Sequence, residues 1–283
     1  MSAEAMQIAA GFVQELAGDL NKGNLELPMF PDSVIRIQQT FRADEVDIND
    51  VVQIISSDPA LAARILELAN SAAIRGAAEI LEVRQAVIRI GNKLVQSSAV
   101  AFALREAERS EGLSEEQRVV LRDIWAESVE LAARSYVIAK KYTKLNADEA
   151  LLTGLLSVLG RLYIFMKSAE QGVTDYAALE GIIADWHPAI CKAIAESWNM
   201  SDELVNALET QLDTNPELRE SASLAEVLSA SRLVFEHETS GESLDAGEFP
   251  LLQRLGIADQ NESAVTLDEH AEAINDIRQG LKG

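Results

Sequence analysis

The 283-residue sequence is 48% hydrophobic but only 5% aromatic, and its 24 Lys and Arg against 46 Asp and Glu give a formal charge of −22. That apolar content supports a sizeable core in one large domain or two modest ones, and the acidic balance argues against general affinity for nucleic acid or an anionic membrane. Cys191 is the single cysteine, which excludes an internal disulfide and suits a reducing compartment.

The opening Met1-Ser-Ala-Glu-Ala-Met6 lacks the basic region and uninterrupted apolar stretch of a signal peptide. No run reads as the roughly 18 apolar residues of a membrane span, so a soluble, cytoplasmic protein is expected. Helix signals then follow one another, and no alternating strand pattern stands out. Ile8, Phe12, Val13 and Leu16 mark an amphipathic first helix ending between Gly18 and Gly23. A Pro28–Pro31 loop leads to a helix from about Asp32, and Asp47 caps a short one ending before Asp58-Pro59. Asp58 is placed as an N-cap with Pro59 at the first helical position, where no amide hydrogen is needed, and Leu61, Ile65, Leu68 and Ala72 form the buried stripe.

A long helix is predicted from about Glu82 toward Arg105, with Arg89 and Lys93 four apart on one face. The polar Arg109–Gly112 stretch divides the chain into two lobes. Ser114 and Gln117 have capping-box spacing for a helix through Trp125, Val129, Ala133 and Tyr136. Asn146 to Glu149 opens the strongly apolar Ala150–Met166; Thr174, His187-Pro188, Ser201 and Asn215-Pro216 read as further helix starts. Glu236–Gly247 reads as a loop, and Thr266 to Glu269 as a third capping box for a last helix with Ala273, Ile274 and Ile277 inward. From Ser201 onward 18 acidic residues face 5 basic ones, net −13, which reads first as a solubilising surface. Cys191 lies in an apolar stripe and reads as a core residue; Lys140, Lys141 and Lys144 read as ordinary surface.

Three segments in order carry a resemblance. Asp58-Pro-Ala-Leu-Ala-Ala-Arg-Ile-Leu-Glu-Leu-Ala-Asn-Ser-Ala72 follows Leu27-Pro28-Met29-Phe30-Pro31 and precedes Gln85-Ala86-Val87-Ile88-Arg89-Ile90-Gly91. Together they resemble the HDOD domain, an all-helical bacterial relative of the HD-type metal phosphohydrolases, over roughly residues 20 to 212. The resemblance implies an all-α, compact multi-helix bundle of two packed lobes. Residues 1–110 would form the N-terminal lobe, 111–212 an HD-like lobe, and 213–283 an acidic helical extension of about three helices packed on the bundle. Asp58, Pro59, Asn70, Ser71 and Gly91 match the family signature, and Asn70 is expected to satisfy a neighbouring backbone.

The same resemblance locates what an HD-type enzyme would need. Its central His-Asp pair would fall in Gly154-Leu-Leu-Ser-Val-Leu-Gly160, where Ser157 and Val158 stand instead. Glu127 occupies the place of the first family histidine, and Gln211 and Leu212 those of a later pair; only His187 matches a histidine of metal-binding relatives. A neutral serine is a poor ligand and valine none, so neither a metal nor another cofactor is expected. His237 and His270 have no ligand-like spacing and read as surface residues. No Gly-rich phosphate loop, nucleophile elbow or Cys-x-x-Cys pair offers another chemistry. The expectation is a non-catalytic regulatory module of bacterial signalling that binds another protein, without nucleic acid or membrane. The alternatives are a metal-dependent phosphohydrolase with a degenerate site, or a receptor for a nucleotide second messenger in the vacated pocket.

Overall fold

The structure, a computed structural model, describes residues 14–15, 17–20, 25, 30–41, 45–71, 79–110, 112–170, 179–213, 221–241, 244, 249–258 and 267–282. Ile8, Phe12, Val13 and Leu16 of the expected first helix, the helix starts at Thr174 and Asn215-Pro216, and Thr266 lie outside them. Among the described residues there are twelve α-helices, one short 3-10 turn and no strand.

Each of the first three helices begins where local chemistry allows. Helix α1 (Asp32–Thr40) follows Pro31, and α2 (Ile48–Ser57) is capped by Asp47, whose carboxylate accepts the Asn49 amide at 2.7 Å. Helix α3 (Pro59–Asn70) is capped by Asp58, which accepts the Ala60 and Leu61 amides at 3.1 Å each. Helix α4 (Val83–Glu108) packs on all three and joins them to the second lobe. It is not continuous: Gly91 takes φ 76°, ψ 168°, a left-handed turn open to glycine, which breaks the helix there. Arg89 and Lys93 therefore do not share one helical face as expected. Arg89 turns to the Ala69 carbonyl at 3.5 Å, and Lys93 crosses to Glu149 at 3.3 Å.

The second lobe is built on α5 (Glu115–Tyr142), started by the Ser114–Gln117 capping box. Its most extensive neighbour is α6 (Ala147–Leu156), capped by Asn146. Gly154 explains the closeness, because a Cβ there would lie 2.5 Å from Ala132 Cα and 2.6 Å from Ala132 N. The apolar run then breaks at Ser157-Val158 and resumes as α7 (Leu159–Glu170), so Ala150–Met166 is two helices and not one. Ala147–Glu170 is apolar and long enough to span a membrane, against the sequence reading, but 89% of its most apolar window is buried inside the protein. Here it is the core.

Helix α8 (Glu180–Ser197) runs straight through His187-Pro188, which is not a helix start. Proline removes one helical hydrogen bond, but His187, Ile190, Cys191 and Ile194 are all buried at helical spacing, and that burial carries the helix past the gap. After α9 (Asp202–Glu209), helix α10 (Leu224–Ser240) packs on α5, α6 and α9. It extends to Ser240 where a loop is expected from Glu236, because its last turn is held by Arg134–Glu238 and ends at Gly241, φ 73°. Helix α11 (Pro250–Arg254) buries Leu251 and Leu252, and after a turn at Asp268–His270 helix α12 (Ala271–Lys282) lies on α5 and α3.

Candidate functional site

The segment between α6 and α7 faces α5, α8, α9 and α10, and here the residues singled out in sequence meet. Glu127 on α5 is 15% exposed and lies between two guanidiniums, Arg161 of α7 and Arg232 of α10, the latter at 3.2 Å. Arg232 also donates to Gln211 Oε1 at 3.1 Å, and Gln211 Nε2 donates to the Leu208 carbonyl at 2.8 Å. His187 Nε2 lies 2.5 Å from the Ser157 carbonyl, the same carbonyl that Cys191 Sγ approaches at 3.5 Å. The Ser157 hydroxyl donates back to Gly154 at 2.7 Å. Val158 is fully buried among apolar residues, and Leu212, 47% exposed, turns away from the group.

Gly160 sets the spacing of this centre: a Cβ on it would meet the His187 carbonyl oxygen at 2.2 Å and the ring Cδ2 at 2.8 Å. The Gly160 amide donates to Cys191 Sγ at 3.1 Å. Burial lowers the His187 pKa from 6.5 to about 4, so the ring is neutral at pH 7, and its position against a carbonyl puts the proton on Nε2. Burial likewise pushes the Cys191 thiol up to about 12. Burial alone would raise the Glu127 pKa, but the Arg161 and Arg232 charges outweigh it and hold the carboxyl below its usual range.

This donor set does not fit a divalent ion. His187 Nε2 carries its proton, Glu127 is already neutralised by two cations, and position 158 offers only methyl groups. Among the described residues no three His, Cys, Asp or Glu side chains cluster for a metal. Arg161 and Arg232 complete this centre, and the sequence alone does not bring them to it. An arginine inside the apolar Ala150–Met166 run was an available signal for the first; Arg232, 105 residues from Glu127, gave none.

The signature residues form a separate group. Asp58 caps α3 and accepts the Ser33 hydroxyl at 2.6 Å. Asn70 closes a two-way bridge with Ile80: its amide donates to the Ile80 carbonyl and its carbonyl oxygen accepts the Ile80 amide, both at 2.8 Å. Ser71 ends α3 beside α12, its buried hydroxyl without a partner among the described residues. His237 and His270 are not free surface imidazoles. His237 packs edge-on against Phe249 with Nδ1 2.8 Å from the Leu233 carbonyl, and His270 meets the Tyr142 hydroxyl at 2.9 Å.

The profile of the HDOD domain matches residues 27–214. The chain belongs to the HDOD domain family. Its solved structural relatives include a candidate metal-dependent phosphohydrolase from Shewanella amazonensis SB2B, at TM-score 0.68 and 24% identity over 96% of this chain and 98% of that one. An HDOD domain protein of unknown function from Geobacter sulfurreducens aligns at TM-score 0.60 and 22% identity, covering 95% and 96%. A candidate signal transduction protein from Marinobacter aquaeolei VT8 gives 0.58 and 20%, covering 97% of this chain and 66% of that one. At these identities the likeness carries the all-helical fold. A Treponema pallidum (strain Nichols) protein without assigned function is 25% identical over 201 residues, 65% of this chain. The match spans 37% of that relative's length. The HDOD match ends at residue 214, so Arg232 reaches this HDOD centre from helix α10, outside the matched span.

Proposed function

We propose that this HDOD protein is a non-catalytic regulatory module that works in the bacterial cytoplasm by binding another protein. The observation that carries the reading is the centre itself: where an HD-type enzyme gathers imidazoles and carboxylates around metal, this chain buries one carboxylate between Arg161 and Arg232. Two fixed cations repel a divalent ion and leave nothing to lower the pKa of a bound water. In this reading the two lobes, 1–110 and 111–212, form the HDOD unit, and 213–283 is an acidic extension that completes it. No cofactor is required.

The test is elemental analysis of gently purified protein, followed by phosphatase and cyclic-dinucleotide phosphodiesterase assays with added manganese, iron or zinc. The expected result is no stoichiometric metal and no turnover. One tightly held ion per chain together with turnover overturns the reading in favour of a phosphohydrolase. Saturable cyclic-dinucleotide binding without turnover overturns it in favour of a second-messenger receptor.

A further inference from the structure

Helix α12 is held to the bundle by little apolar surface. Of its twelve residues only Ile274 and Leu281 are buried, with Ala273 and Ile277 half-buried against the core. Polar contacts do much of the rest. Arg278 donates to Glu130 at 2.7 Å, and the last turn directs the Gly280 and Lys282 carbonyls at the guanidiniums of Arg64 on α3 and Arg105 on α4. A helix C-terminus carries partial negative charge on unsatisfied carbonyls, so two arginines there form a receptor for a helix end.

The fit beneath the helix is incomplete. A void of about 20 Å³ lies between Leu68, Ser71, Leu94 and Tyr136 below and Ile277 and Gly280 above. The buried Ser71 hydroxyl at its edge has no hydrogen-bond partner among the described residues. A Cβ on Gly280 would make only ordinary contacts, 3.6 Å to Leu68 Cδ1 and 3.9 Å to Ser71 Oγ. Glycine within a helix also weakens it by about 1 kcal/mol relative to alanine. Past Leu281 the groove continues into an open crevice of about 190 Å³ bordered by Arg64, Arg105, Arg109 and Phe102. Glu67 and Glu106 pair with Arg64 and Arg109 there, while Arg105 donates to the Lys282 carbonyl. Three arginines against two glutamates leave this end slightly positive in a chain of net charge −22.

We propose that the groove between α3, α4 and α5 is a helix-docking surface that α12 fills in cis and a partner's amphipathic helix takes in its place. The inference rests on the protein-binding reading above and names its surface. The fitting partner presents apolar residues at the spacing of Ile274, Ile277 and Leu281. It has a small side chain other than glycine where Gly280 now lies, and it ends in Asp or Glu that reach Arg105 and Arg109. Such a helix fills the void and sets carboxylates against the guanidiniums at that end.

The experiment uses the full chain and a fluorescent peptide of residues 267–282 carrying Gly280→Ala and three added C-terminal glutamates. Hydrogen exchange of unmodified protein should show the α12 amides opening at least about tenfold faster than those of α5, as a locally released element does. The peptide should bind saturably and speed α12 exchange further; Arg105→Glu should weaken binding by about tenfold or more. Gly280→Ala in the protein itself should tighten the latch and weaken peptide binding. The proposal is overturned if α12 exchanges as slowly as α5, if the peptide fails to bind at about 1 mM, or if binding ignores Arg105→Glu. Phosphoesterase turnover with the peptide results intact removes the regulatory reading and leaves the groove. No turnover with slow α12 exchange removes the groove alone.

Discussion

Replacing Arg232 with leucine removes one of the two cations from Glu127 while keeping most of the aliphatic stem's volume. Breaking a buried ion pair commonly costs about 3–5 kcal/mol, because the remaining charge is left uncompensated. Here Arg161 stays against the carboxylate, which reduces the loss, while Gln211 Oε1 loses its donor, which adds about 1 kcal/mol. The expected destabilisation is about 3 kcal/mol, or a fall in Tm of roughly 5 °C for a chain of this size. Thermal and urea unfolding followed by circular dichroism measure it, and the pH dependence identifies the cause. The Glu127 pKa is depressed in the folded protein, so its contribution is present above the unfolded carboxyl range and lost as pH falls through the folded value. Without Arg232 the burial that raises this pKa has only Arg161 against it. The folded pKa climbs, and the variant loses less than the wild type on acidification. The gap between the two should therefore narrow as pH falls below about 5 and keep narrowing through the folded Glu127 value. A gap below about 0.5 kcal/mol at pH 7, or one that stays constant with pH, would refute the reasoning.

Gly154→Ala drives a methyl to 2.5 Å from the Ala132 backbone, so α5 and α6 must separate; about 1–3 kcal/mol should be lost in urea unfolding, and an unchanged midpoint contradicts the close approach. Asn70→Ala leaves the Ile80 amide and carbonyl unpaired and should cost about 1–3 kcal/mol; a variant of full stability that loses a binding partner instead moves Asn70 from structure to recognition. The His187 ring, with pKa lowered from 6.5 to about 4, should remain neutral at pH 5.5 by NMR. Its folded pKa is depressed, so its contribution is complete above 6.5 and falls by about 3 kcal/mol between there and pH 4; a titration midpoint near 6.5 would show the ring exposed.

What could be read from the sequence was what is decided within a few residues. The Asp58-Pro59 start, the Ser114–Gln117 box and the Asp47 and Asn146 caps each need only a side chain and amides two or three positions away. His187-Pro188 misled because a proline normally opens a helix, and the buried stripe that carries α8 through it depends on α7 lying close enough to cover it. In the sequence Gly91 stands out as signature and not as a break, since its left-handed backbone is invisible until the chain on both sides is placed. Glu127 and Gln211 could be located as departures from a metal site. What holds them together comes from Arg232, and no local rule links an arginine in an acidic extension to a carboxylate 105 residues earlier.

The reach of α10 bears on how a shortened protein would behave. A chain cut to the HDOD-matched span, 27–214, keeps Glu127 and Arg161 and loses Arg232. Wherever such a fragment holds together, it carries a carboxylate stripped of half its counter-charge beside a crevice newly opened to water, surroundings suited to a stray cation. Metal or weak hydrolysis found on that fragment would describe the cut end. Only the chain that retains residues 215–283 presents the centre in its own charge state.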